Sequence, residues 1–127
     1  MTEPSFLLDT NICIYVLADA ESYAARRLAD CAQGSAVASV VTYAELLRGV
    51  LSAGPGEEAK LARFFDRIPV LPFGTREAEA YARLPFRRGA FDRLIAAHAL
   101  ALRLTLVTNN ERDFADVPGL RIENWTV

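Results

Sequence analysis

Ser5-Phe6-Leu7-Leu8-Asp9-Thr10-Asn11 is the stretch on which the fold turns. Phe6, Leu7 and Leu8 are consecutive apolar residues, the pattern of a central parallel strand that is covered on both faces. The run stops on a carboxylate. Asp9 then stands at the carboxyl end of the strand, where open α/β sheets place their ligand crevice. That position makes it the first candidate for a functional acid.

Outward from this strand, helical and strand patterns alternate. Thr10 to Ala18 reads as a short helix with Asp9 or Asn11 as its N-cap. A second helix is expected from Ala20 to Ala32, stopped by Gly34. Ser35 to Ser39 suits an inner strand, and Thr42 to Leu51 the helix after it. Gly54-Pro55-Gly56 is a helix–helix turn. Glu57 to Ile68 returns to helical period, with Leu61, Phe64, Phe65 and Ile68 on one stripe. Pro69 to Pro72 allows only a short edge strand, and Thr75 to Leu84 a helix that stops before Pro85. Ala90 to Leu102 is a helix, Leu104 to Val107 an inner strand, and Leu120 to Glu123 a final short strand. Strands separated by helices imply right-handed crossovers. The expected fold is α/β: a three-layer α/β/α sandwich around a mainly parallel sheet of four to five strands.

Composition narrows the class. The chain has 127 residues, a hydrophobic fraction of 52% and net charge −2, enough for one packed domain over residues 1–127. No apolar run nears the roughly 20 residues of a membrane helix. No positive charge precedes the first apolar residues, so no secretory signal is read and a cytoplasmic location follows. Cys13 and Cys31 lack any Cys-x-x-Cys spacing and His98 is the only histidine. A thiolate/imidazole zinc site is therefore disfavoured, and the cysteines read as small core residues. His98 falls on an apolar stripe with Phe91, Ile95 and Leu102, as a hydrogen-bonded core histidine would. Of 14 basic residues only Lys60 is a lysine; arginine suits bidentate phosphate contacts, although GC-rich coding gives the same bias.

Four acids fall at strand ends or helix starts: Asp9, Glu45, Asp92 and Asp113. Each has an ordinary structural explanation. Asp9 fits an N-cap, Thr42-Tyr43-Ala44-Glu45 fits a capping box, Asp92 fits the first turn of a helix, and Asp113 fits a solvated loop. Together they would meet at one edge of the sheet, and such a cluster of like charges is costly unless a cation neutralises it. Oxygen-only ligation points to Mg²⁺, with Mn²⁺ as the alternative. The chemistry implied is metal-assisted attack of water on a phosphodiester. Arg83, Arg87, Arg88 and Arg93 lie beside Asp92 as candidates to hold the phosphates of such a substrate.

Leu7-Leu8-Asp9-Thr10-Asn11, Val41 to Leu46, Phe91 to Ala99 and Leu106 to Asn110 resemble, in order, the motifs of PIN-domain ribonucleases. The closing runs Arg112-Asp113-Phe114, Pro118-Gly119-Leu120 and Glu123-Asn124-Trp125 resemble the VapC toxins of bacterial toxin–antitoxin pairs. The resemblance implies that Asp9, Glu45 and Asp92 bind metal, that Asp113 matches the acid of the closing motif, and that Thr10, Asn11, Thr108 and Asn110 line the site. Many PIN domains carry an aspartate where this chain has Asn109-Asn110, so whether Asn110 or Asp113 supports a second metal position stays open. The resemblance further implies an endoribonuclease that blocks translation by cutting structured RNA such as tRNA, a VapB-type antitoxin partner and a homodimer. A catalytically silent PIN fold that only binds protein or RNA is the alternative.

Other α/β readings fit less well. A phospho-receiver needs paired acids after its first strand and a lysine after the last inner one; Thr10-Asn11 follow Asp9, and Lys60 lies in a helix. No Gly-Lys-Ser/Thr is present for a P-loop, and Asp9-Thr10-Asn11 departs from the Asp-x-Asp of haloacid-dehalogenase-like phosphatases.

Overall fold

Leu8 pairs with Ala38 on one side and with Val107 on the other, both in parallel register. This fixes the first strand at the centre of the sheet. The computed structural model describes residues 2–86 and 91–127. Its strands are β1 (Phe6–Leu8), β2 (Ala36–Ser39), β3 (Val70–Leu71), β4 (Thr105–Val107) and β5 (Ile122–Glu123). They form one five-stranded sheet in the order β3-β2-β1-β4-β5, and all four pairings are parallel. The proline-flanked β3 is an edge strand, since Pro69 and Pro72 have no N–H to give a ladder.

The helices among the described residues are α1 (Thr10–Ala18), α2 (Tyr23–Ala29), α3 (Val40–Leu51), α4 (Pro55–Arg67), α5 (Thr75–Ala82) and α6 (Phe91–Leu102). Successive strand residues point to opposite faces, and the core divides accordingly. Leu8, Ala36, Ala38 and Val107 pack with Ile12, Cys13, Ala24, Leu46, Leu61 and Trp125 from one side. Leu7, Val37 and Leu106 pack with Ile95, Ala96, Ala99, Phe114 and Val117 from the other. The result is the expected α/β/α sandwich, its strands buried on both faces.

Three local readings change. The second helix is only Tyr23–Ala29, capped by Ser22, whose hydroxyl accepts from Ala25 N at 3.2 Å. Gly34, with φ 90°, belongs to the turn into β2 rather than to the helix end. The third helix begins at Val40, not Thr42. Its cap is Ser39, whose hydroxyl accepts from Val41 N at 3.0 Å. The capping box at Thr42–Glu45 therefore does not form, and Glu45 sits in the helix interior with its carboxyl available for other work. Cys13 is a buried core thiol and Cys31 is half-buried; both are free.

Candidate active site

The parallel register places Asp9, Ser39 and Thr108 in one row across β1, β2 and β4, one residue beyond Leu8, Ala38 and Val107. Ser39 and Thr108 are fully buried and Asp9 is 4% exposed. Asp9 caps α1: its Oδ1 accepts from Ile12 N at 2.9 Å. The hydroxyl of Thr108 hydrogen-bonds the same carboxyl. These contacts favour the charged form, but burial outweighs them, and the charges of Asp92 and Glu45 add to it. The Asp9 pKa is pushed up to about 6. Asp9 thus has two roles at once, helix cap and buried acid facing two others.

Glu45 is held from α1. Thr10 Oγ1 donates to Glu45 Oε1 at 2.7 Å and lies 3.2 Å from the buried Thr42 hydroxyl. Asp92 begins α6 at the rim of the site. Desolvation of its carboxyl raises its pKa, the negative charge of Asp113 adds, and Arg93 pulls the other way. Asp113 lies in a 3₁₀ turn, Glu111–Phe114, where a plain loop was expected. Asn110 joins the two halves: its backbone N–H donates to the Thr108 hydroxyl at 3.1 Å and its side-chain amide to Asp113 Oδ2. Asn11 is exposed in the first turn of α1. All four predicted acids therefore fall at one edge of the sheet, linked by the chain Asp9–Thr108–Asn110–Asp113 and by the mutual influence of their charges.

Among the described residues, no three acid, histidine or cysteine side chains already stand together as a metal cage. None of Asp9, Glu45, Asp92 or Asp113 forms an ion pair with arginine or lysine among those residues. A set of carboxylate oxygen donors, with the pKa of Asp9 and of Asp92 raised and no cation paired to any of the four among the described residues, suits a hard divalent ion. Mg²⁺ in particular binds through one or two carboxylates and keeps several waters, so a complete protein cage is not required.

The predicted arginines separate. Arg93 is buried, 2% exposed. It donates to Asp116 Oδ1 at 2.8 Å and to the Asp113 carbonyl at 3.0 Å, so it clamps the 3₁₀ turn to α6 and is no phosphate ligand. A long side chain next to an acid in a basic stretch gives no hint of a partner 23 positions on. Arg83 is exposed at the end of α5. Arg87 and Arg88 lie outside the described residues. His98 is the core histidine expected: it is fully buried, with Nδ1 2.8 Å from Ser39 Oγ and its ring edge-on to Phe73. Ser39, not singled out by the sequence, caps α3, holds His98 and stands in the Asp9 row. A serine immediately before an apolar helical run was its one legible signal.

Residues 6–120 match the PIN domain family. The chain is a PIN domain. Within that family it is 36% identical over 95% of its length to the tRNA(fMet)-specific endonuclease VapC of Shigella flexneri, covering 98% of that protein. It is 34% identical to ribonuclease VapC2 of Rickettsia felis, over 94% of this chain and 97% of the relative. This PIN domain therefore belongs to the VapC group. Its backbone superposes on VapBC2 from Rickettsia felis, solved with a promoter DNA fragment, with a TM-score of 0.84 at 31% identity, covering 98% of this chain and 99% of that one. DNA-bound VapBC from Salmonella typhimurium gives 0.82 at 31% identity, covering 96% and 98%.

Proposed function

We propose that the chain is a divalent-metal-dependent endoribonuclease of VapC type, a toxin that blocks translation by cutting RNA and is neutralised by a cognate VapB-type antitoxin. The observation that carries the catalytic reading is Asp9: a buried carboxyl with its pKa raised to about 6, facing the charges of Asp92 and Glu45. Buried acids are normally charge-paired; Asp9 is hydrogen-bonded as the cap of α1 but has no cationic partner among the described residues and is 4% exposed. Membership of the VapC group supports RNA as substrate, with a structured RNA such as tRNA favoured. The same membership supports an antitoxin partner, a homodimer and action in the cytoplasm. Among the described residues no helix is long and apolar enough to cross a membrane.

Asp9, Glu45 and Asp92 would hold Mg²⁺ or Mn²⁺, directly or through water, with Asp113 completing or orienting the set. A divalent ion there supplies an activated water and offsets the charge that develops on the phosphoryl oxygens. The protein's own groups do the positioning. Thr108 and the Ile12 amide orient Asp9, Thr10 orients Glu45, Asn110 orients Asp113, and Arg93 anchors the turn that carries Asp113. No side-chain nucleophile is needed.

The test is cleavage of total small RNA by the purified protein with Mg²⁺, with Mn²⁺ and with EDTA, beside Asp92→Asn. Cutting that requires metal and vanishes in the variant is expected. Folded, antitoxin-free protein that leaves RNA intact would overturn the reading in favour of a binding-only PIN fold.

A further inference from the structure

The cleft between the end of α1, the start of α2 and the loop after β4 takes no part in holding the acids. It encloses about 420 Å³, within the ~300–1,000 Å³ of pockets that accept small organic groups. Tyr15, Asp19, Ser22, Tyr23, Asn109 and Thr126 line it. Tyr23 is 64% exposed and Tyr15 38%, so two aromatic side chains reach solvent on one shelf. Asn109 Nδ2 donates to the Tyr15 hydroxyl at 3.0 Å. Its Oδ1 is buried without a hydrogen-bond partner among the described residues, so the accepting end of the amide is unused. Asp19 accepts from Glu21 N through Oδ1 at 2.8 Å, and a carboxylate has a second oxygen with which to accept.

These groups select a class of ligand. Among the described residues neither arginine nor lysine lines the cleft, and Asp19 would repel an anion, which argues against a phosphate as its occupant. Aromatic faces beside amide, hydroxyl and carboxylate edges match an unstacked nucleobase, which stacks on aromatic rings and hydrogen-bonds along its edges. A carboxylate accepts from the exocyclic amino group of a base. Position agrees with chemistry. Asn109 lies in the chain between Thr108, which bonds Asp9, and Asn110, which bonds Asp113, so the loop that carries the acids' partners also lines the cleft.

We propose that this cleft is a nucleobase subsite. It takes one unpaired base flanking the scissile phosphate, stacked on Tyr23 and Tyr15, with the amino edge of guanine, adenine or cytosine toward Asp19. The assignment rests on the ribonuclease reading above and adds a source of sequence preference to it.

Steady-state cleavage of short single-stranded RNAs of defined sequence, with Mg²⁺ or Mn²⁺, tests it, together with sequencing of the product ends. Tyr23→Ala should raise KM roughly tenfold with kcat little changed, the loss expected of one stacked base. Tyr23→Phe, which keeps the ring, should behave as wild type. Asp19→Asn should shift the base found beside the cut. Wild-type cutting with unchanged KM in Tyr23→Ala and unchanged product ends in Asp19→Asn would overturn the subsite alone. If wild type cuts total small RNA but none of these RNAs, the subsite alone is overturned; if it cuts neither, the ribonuclease reading fails and the subsite falls with it.

Discussion

Thr10 Oγ1 donates to Glu45 Oε1 across 2.7 Å, joining residues 35 positions apart. The bond ties the first turn of α1 to the middle of α3 and fixes the carboxyl of Glu45 relative to Asp9, which caps the same first turn. Thr10→Val keeps the shape and removes the donor. The net loss of such a bond is about 1 kcal/mol, so the melting temperature should drop by only a few degrees. Cleavage should suffer more, about tenfold or beyond, because displacement of a positioned group by about 1 Å can cost ~100-fold. Parallel melting and rate measurements decide. Equal activity in both proteins would show that Glu45 needs no tether.

Arg93 offers a sharper separation of structure from binding. Its guanidinium is buried against Asp116 and the Asp113 carbonyl. Arg93→Met keeps most of the volume but removes the hydrogen bonds to the Asp116 carboxylate and to the Asp113 carbonyl. Asp116 is partly solvated, its side chain 35% exposed, so the cost is placed at about 1–3 kcal/mol. Denaturant titration should detect this loss, whereas Arg83→Met, at an exposed helix end, should leave stability unchanged. The reverse ranking would return Arg93 to the set of surface phosphate ligands.

The contrast between Asp9 and Arg93 shows how far the residues alone could lead. The central strand was legible because a doubly covered strand has to be apolar throughout, and Leu7 and Leu8 feed opposite cores. Asp9, Glu45 and Asp92 could be placed at one edge because parallel strands all end there. Glu45 was assigned to a helix start because Thr42-Tyr43-Ala44-Glu45 satisfies the local rule for a capping box. Ser39, three residues earlier, satisfies the simpler cap rule and is selected by the end of β2. The Arg93–Asp116 clamp and the Tyr15–Asn109 contact had no local signature. Each joins positions far apart in the chain, and periodicity carries no information about such pairs.

Asn110 lies in the Asn109-Asn110 loop where many PIN domains carry an acid, and its amide donates to Asp113. Asn110→Asp replaces that donor by a second carboxylate beside Asp113. Like charges in one crevice destabilise each other, so the metal-free protein should melt at lower temperature than wild type, while Mn²⁺ should bind severalfold more tightly. Isothermal titration of Mn²⁺ and melting with EDTA test both halves. Weaker Mn²⁺ binding would mean that the Asn110–Asp113 pair orients the site through its hydrogen bond rather than through charge.

Asp9 and His98 make opposite contributions to the pH dependence of the metal-free fold. The Asp9 pKa is raised from 3.8 to about 6 by burial. The native state therefore binds this proton more tightly than the unfolded chain, and between those values stability rises as pH falls. At neutral pH the buried charge costs roughly 3 kcal/mol, from about 1.4 kcal/mol per pKa unit. The pKa of His98 is lowered from 6.5, chiefly by burial. Its neutral native form contributes stability that is lost as pH falls below 6.5. The two slopes oppose each other on the acid side of neutrality. Asp9→Asn retains an N-cap residue and deletes one of them. The variant should be more stable than wild type near pH 7.5 in EDTA, should lose that advantage on acidification, and should show the steeper decline of the two below pH 6.5. Denaturant unfolding across pH 5 to 8 measures both curves. Parallel curves would mean that Asp9 stays ionised throughout, with its burial charge compensated by the fold itself.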